Sequence, residues 1–209
     1  MKALRDDQRL VCREAWKHVI KRDTNIVIAA PTGWGKTFVA SSLAEAMIKK
    51  GYRVYFVVDR TVLRGQAGDE FSVSGEFSVS IIDGHSRNSK SSSDLTADLV
   101  ILTAQLLSAK RFKGKIKEKV QVDDRPVVFI IDECHILWNA HFEIHKAGFR
   151  MIGLSATPMT EGLADIYDEL VDTLSPNELI DSGVWKVPHV YVANFFDGKL
   201  KKKGGEYVM

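Results

Sequence analysis

Eight residues, Ala30-Pro31-Thr32-Gly33-Trp34-Gly35-Lys36-Thr37, have the types and spacing of a phosphate site. They lie between a strand-like run, 25–29, and a helix-like run, 38–50. A glycine-bearing turn between strand and helix leaves backbone N–H groups free for phosphate oxygens, and the helix N-terminus adds a favourable field. Lys36 can then reach the β- and γ-phosphates while the Thr37 hydroxyl ligates Mg²⁺. Ala30 holds the position where the general G-x-x-x-x-G-K-[ST] pattern has its first glycine. Trp34 is the odd member, a bulky indole expected to point outward from the loop.

A second signature, Asp132-Glu133-Cys134-His135, follows the apolar run 127–131 about 95 residues later. A carboxylate closing a buried strand beside a phosphate loop, here Asp132, can hold the Mg²⁺ that bridges the phosphates. Glu133 is then placed to orient and polarise a water. A third piece, Ser155-Ala156-Thr157-Pro158, closes another apolar run, and the hydroxyls of Ser155 and Thr157 can bond His135. Cys134, His135, His141 and His145 form a competing constellation, because His141 and His145 stand i,i+4 as zinc ligands on one helix face do. The lack of a Cys-x-x-Cys pair sets that reading behind the nucleotide site.

The elements that must position these groups alternate along the chain. Near-continuous apolar runs at 25–30, 53–58, 78–82, 98–102, 127–131, 150–154 and 189–193 read as strands buried on both faces of a parallel sheet. Helical patterns fall at 6–21, 36–50, 60–71, 103–111, 140–147, 161–172 and 176–182. This rhythm predicts an α/β fold with a doubly wound, mostly parallel sheet. Segment 85–94 is serine-rich and reads as a surface loop. The lysine-rich end from Gly198 reads as a disordered basic tail or interdomain stub. The expected division is one nucleotide-binding domain over 1–195 and a basic tail or linker stub over 196–209.

Composition bounds the rest. The 209 residues are 45% apolar, enough for a sizeable core, and no apolar run approaches the ~18 residues of a membrane span. Two cysteines make no disulfide framework and suit a reducing cytosol, hence an expected cytoplasmic location. The net charge of +2 predicts no global nucleic-acid surface, so any such surface is local.

In order and spacing the three signatures resemble motifs I, II and III of the first RecA-like domain of superfamily 2 helicases and translocases, DExH type. The likeness is nearest to the type III restriction and phage or repair DNA helicase group and extends over about residues 4–193. It implies a RecA-like P-loop NTPase fold, ATP and Mg²⁺ as ligands, and catalytic roles for Lys36, Asp132, Glu133 and His135. It implies nucleotide contacts for Thr32, Gly33, Trp34, Gly35, Lys36 and Thr37, and coupling through Ser155 and Thr157. Leu4-Arg5-Asp6-Asp7-Gln8 resembles the upstream element whose glutamine reads adenine, which gives Gln8 that role. Val58 to Leu63 resembles motif Ia and Leu102 to Leu107 motif Ib, implying nucleic-acid contacts by Arg60, Thr61, Arg64, Thr103 and Gln105. Thr61 and Thr103 also read as helix N-caps that present backbone donors. DNA is favoured over RNA as partner, because Ser175 to Pro188 looks like the end of domain one in DNA-acting members. The same resemblance calls for a second RecA-like domain, in cis or in trans, to supply transition-state arginines, and for no membrane. The readings that follow are a motor half of a DNA-dependent ATPase, an RNA helicase half, or an ATP-binding switch without turnover.

Overall fold

The computed structural model describes residues 3–58, 77–82, 94–109 and 112–187, with the backbone of Lys201–Lys203 and Glu206–Val208. The chain divides into two compact units, Met1–Ser175 and Pro176–Met209. The first contains a seven-stranded sheet made of β1 (Ile26–Ala29), β2 (Arg53–Val58), β3 (Val79–Ile81), β4 (Leu99–Thr103), β5 (Val127–Ile131), β6 (Arg150–Ser155) and β7 (Glu169–Asp172). Its order is β3-β4-β2-β5-β6-β1-β7 and every pairing is parallel. β2, β4 and β5 are buried at every residue, which is why their sequences run apolar without alternation.

Helices cover both faces. On one side, Tyr55, Val57, Val100, Leu102, Phe129 and Ile131 pack with residues of α3 (Ala104–Leu107), α4 (Ile116–Val120) and α5 (Asn139–Lys146). The alternate residues Val54, Phe56 and Val58 point to the opposite face by strand geometry. There α2 (Lys36–Ile48) packs on β2, and α1 (Asp6–Trp16) packs on α2, β1 and β7. The buried stripe of α2, Val39, Ala40, Leu43, Ala44 and Met47, follows the helical period. α2 stops at Gly51, whose φ of 85° suits glycine, with Gly51 N–H donating to Ile48 O and Tyr52 N–H to Met47 O.

Two expected helices are corrected. Residues 161–172 form no helix but a 3-10 turn, Leu163–Asp165, and the edge strand β7. Leu163, Ile166, Tyr167, Leu170 and Val171 do have helical spacing, but pairing with β1 decides the conformation. The helix expected over 103–111 closes at Leu107, and α4 was not anticipated. Helix 60–71, strand 189–193 and residues 85–93 of the expected loop lie outside the described residues.

In the second unit, α6 (Pro176–Asp181) buries Leu179, whose carbonyl accepts from Trp185 N–H at 2.9 Å. Where the sequence suggested a disordered tail, Lys201–Lys203 (β8) pairs antiparallel with Glu206–Val208 (β9). Among the described residues, no helix is long and apolar enough to cross a membrane.

Candidate functional site

The strand order assembles the site. β6 lies between β1 and β5, so the loop leaving β1 and the acids leaving β5 are two strand spacings apart, about 10 Å. The residue between them is Ser155, paired with Ala29, and its carbonyl accepts from Ala30 N–H at 2.9 Å. Within the loop, Gly33 and Gly35 have φ of 83° and 106°. The φ of Gly35 demands glycine, and a Cβ there would stand 2.7 Å from Gln8 Nε2 and displace that amide.

Lys36 opens α2 and reaches across the gap, its Nζ donating to Glu133 Oε1 at 3.1 Å. Asp132 is fixed at the strand end by its N–H, which donates to Val57 O at 2.8 Å. Glu133 has φ of 48°, a left-handed conformation that a glutamate adopts only when its surroundings impose it. Asp132 Oδ1 accepts the Glu133 N–H at 3.1 Å and so supports that turn.

His135 Nδ1 lies 2.9 Å from Ser155 Oγ and 3.4 Å from Glu133 Oε2. Ser155 Oγ accepts from Thr157 N–H at 3.0 Å, which leaves its own proton for Nδ1 of a neutral imidazole. Glu133 therefore touches Lys36 with one oxygen and His135 with the other. Ser155 contacts His135 by its side chain, whereas Thr157 is connected through its backbone N–H.

A cavity of about 690 Å³ opens over these groups, lined by Ala3, Arg5, Gln8, Thr32 to Phe38, Asp132 and Glu133. Its size suits a nucleotide. Thr37 and Asp132 offer the hydroxyl and carboxylate oxygens that Mg²⁺ prefers, and Lys36 supplies a cation for phosphates. The donor set thus fits both ATP and Mg²⁺.

Trp34 does not point outward. It is buried at 0% exposure, and its indole Nε1–H donates to Asp7 Oδ2 at 2.7 Å. A bulky ring carrying one N–H is more stable buried with an acceptor than stranded over a polar loop. Arg5 as a cavity residue and Asp7 as the indole acceptor were missed, and the indole N–H was the signal for Asp7, since it needs a partner when buried. Gln8 is buried, with Nε2 donating to Trp34 O at 3.0 Å and Oε1 accepting from Arg5 N–H at 3.1 Å.

The expected nucleic-acid residues divide. Arg60, Thr61 and Arg64 lie outside the described residues. Thr103 ends β4 and caps α3, its Oγ1 accepting from Leu106 N–H at 3.3 Å, and Gln105 beside it is exposed. The zinc constellation is scattered. His135 faces Ser155, His145 Nδ1 lies 3.2 Å from Asn25 Nδ2, and His141 Nε2 is buried without a partner. Burial, with the charges of Glu133 and Asp132, pushes the Cys134 thiol up to about 12, so it stays protonated. No group of three metal-ligating side chains occurs among the described residues.

Three comparisons with known proteins agree with this geometry. The family model described as type III restriction enzyme, res subunit, matches residues 1–160. A "51.5 kDa protein" of Lactococcus phage (isolate 7-9) is 26% identical over 189 residues, covering 87% of this chain and 36% of that protein. The type I restriction enzyme SsaAORF53P endonuclease subunit of Staphylococcus saprophyticus is 31% identical over 166 residues, 73% of this chain and 18% of that protein. Among solved structures, a nuclease-deletion mutant of the Type ISP restriction-modification enzyme LlaGI, in complex with a DNA substrate mimic, superposes with a TM-score of 0.64. It is 18% identical over 88% of this chain and 21% of its own length. The chain thus spans well under half the length of each of these three.

Proposed function

This chain belongs to the type III restriction enzyme, res subunit, family, with the fold of a first RecA-like helicase domain, and we propose that it is the ATP-binding motor half of a DNA-dependent ATPase. The observation that carries the reading is the 3.1 Å contact of Lys36 Nζ with Glu133 Oε1, at the cavity that Thr37 and Asp132 also line. Without nucleotide, Lys36 and Glu133 neutralise each other. An arriving triphosphate competes for Lys36, and Glu133 is released to orient the attacking water and accept its proton. Thr37 and Asp132 would hold Mg²⁺, which would supply charge neutralisation at the phosphates. Gln8, in the cavity wall, is the proposed base reader, its amide offering a donor and an acceptor to adenine. His135, through Ser155 and Thr157, connects Glu133 to the segment after β6 and so couples hydrolysis to the nucleic-acid surface. Arg60, Thr61, Arg64, Thr103 and Gln105 are the proposed contacts there, to phosphates rather than bases.

The motor needs a second RecA-like domain, in cis or in trans, whose arginines stabilise the transition state. Loss of such an arginine costs ~10³–10⁵ in rate, so the 209 residues alone are expected to hydrolyse ATP very slowly. DNA is the proposed track and the cytoplasm the proposed location. Calorimetry with Mg-ATP tests the central claim. Lys36→Ala should abolish measurable binding, whereas Glu133→Gln should retain it or strengthen it by freeing Lys36. Equal affinity in wild type and Lys36→Ala would remove the assignment. Stimulation by RNA but not DNA, once the second domain is present, would move the protein to the RNA-helicase reading.

A further inference from the structure

Trp34 stands between two glycines with positive φ, Gly33 and Gly35. Three groups of the N-terminal segment grip this one residue. Asp7 Oδ2 accepts the indole N–H at 2.7 Å. Arg5 Nη2 donates to the Trp34 carbonyl at 3.2 Å, and Gln8 Nε2 donates to the same carbonyl at 3.0 Å. Arg5 is oriented in turn by Asp7, with Nε donating to Oδ1 and Nη2 to Oδ2, both at 3.0 Å. Its guanidinium lies 5.8 Å from the indole centroid, within cation–π range. Burial raises the Asp7 carboxyl, but the bonds from Arg5 and Trp34 outweigh it and keep the group below the usual carboxylate range.

The consequence falls on Gln8. An amide can present its oxygen and nitrogen in either order, and a base-reading glutamine is selective only if one order is fixed. Here the nitrogen is committed to the Trp34 carbonyl and the oxygen to the Arg5 N–H. One N–H and one lone pair remain, in a set order, at a set position relative to the phosphate loop. Neither Asp7 nor the Trp34 indole has a part in the hydrolytic chemistry, yet both define where that amide stands.

We infer that Asp7 and Trp34 are positioning residues that lock the Gln8 amide against the phosphate loop and thereby determine the preference for adenine over guanine. This rests on the proposed reading of the cavity as an ATP site with Gln8 at the base. Loss of the Asp7–Trp34 bond lets residues 5–8 move relative to the loop, so the base is read less well while phosphates are still held.

The test is calorimetry of the 209-residue chain with Mg-ATP, Mg-GTP and Mg-tripolyphosphate, the last a probe of the loop alone. The variants are Trp34→Phe, which keeps the ring and removes the N–H, Asp7→Asn, which removes the charge at a less buried position, and their double. Each single variant should weaken ATP about tenfold more than it weakens GTP or tripolyphosphate, the size of one charge-assisted hydrogen bond. The double should lose less than the product of the single losses, since Asp7→Asn weakens the same bond that Trp34→Phe removes. If ATP, GTP and tripolyphosphate weaken alike, the pair only supports the loop and the inference is overturned. If wild type prefers ATP and both variants keep that preference, the inference fails while the adenine-reading role of Gln8 survives. If wild type binds ATP and GTP equally, the base reading itself fails and takes the inference with it.

Discussion

Gly153→Ala should disable the site from behind. Gly153 lies in β6, between Val27 of β1 and Ile131 of β5, directly behind the acids. A Cβ there would stand 2.6 Å from Cys134 Sγ and 3.0 Å from both Cys134 Cβ and Tyr167 Cζ. The first distance is about 1 Å inside ordinary contact. Cys134 is 0% exposed and its N–H is tied to Leu154 O at 3.0 Å, so it has no open space to retreat into. Overpacking of this kind costs about 1–3 kcal/mol. For a chain of this length, that lowers Tm by roughly 2–12 °C. Cys134 adjoins Glu133 and His135, so its displacement should also weaken Mg-ATP binding, which a purely global loss of stability would not do well below Tm. Urea unfolding followed by circular dichroism gives the stability change, and calorimetry at low temperature gives the affinity. Adding Cys134→Ala removes the nearest clashing atom, so the double variant should recover a substantial part of both losses. A Gly153→Ala protein as stable as wild type, or a double variant with no recovery, would refute the packing argument.

Burial lowers the His141 pKa to about 4, against about 6.5 in an unfolded chain. The unfolded chain therefore takes up a proton that the folded one refuses. Stability is complete above pH ~6.5 and is lost as pH falls toward ~4, by up to about 3 kcal/mol. The urea midpoint of His141→Leu should be flatter over that window, and an unchanged pH dependence would remove His141 as its source. Trp34 should report nucleotide binding by a change in intrinsic fluorescence on saturation with Mg-ADP. An identical change in Trp34→Phe would place the signal on Trp16, Trp138 or Trp185. For nucleic acid, two to four phosphate contacts imply a log–log salt slope of roughly −1.5 to −3.5, and Arg60→Ala with Arg64→Ala should flatten it by up to ~2. Wild-type affinity and slope in that double variant would move the contacts elsewhere.

The parallel sheet was legible because its central strands, β2, β4 and β5, are buried on both faces and announce themselves as unbroken apolar runs; β5 matches its expected span to the residue. The positions of the phosphate loop and the acids were legible for the same reason, since each follows such a run. Orientation was not. Nothing local says that the Trp34 indole turns inward, because its acceptor, Asp7, is 27 residues away. β7 was misread because its apolar spacing satisfies a helix equally well, and only the vacant edge of β1 decides otherwise. α4 escaped because its two buried residues, Ile116 and Val120, are too few to establish a period against four nearby lysines. The Ser155–His135 contact could be anticipated, but the different attachment of Thr157 depends on how the chain turns after β6.

The strand order also dictates how the molecule comes into being. Ile26 of β1 pairs with Ile152 and with Glu169, so its nearer partner emerges from the ribosome about 126 residues after it. At ~5–20 residues per second, β1 waits roughly 6–25 s as an apolar segment with both edges open. The centre, β2 with β4 and β5, can assemble during that interval, and the phosphate loop acquires its shape only when β6 slides in beside β1. Nucleotide cannot rescue an early folding failure, because the pocket that would bind it is among the last features to form. Low expression temperature or a chaperone that shields residues 25–30 should therefore raise the soluble yield of this chain more than added ATP does.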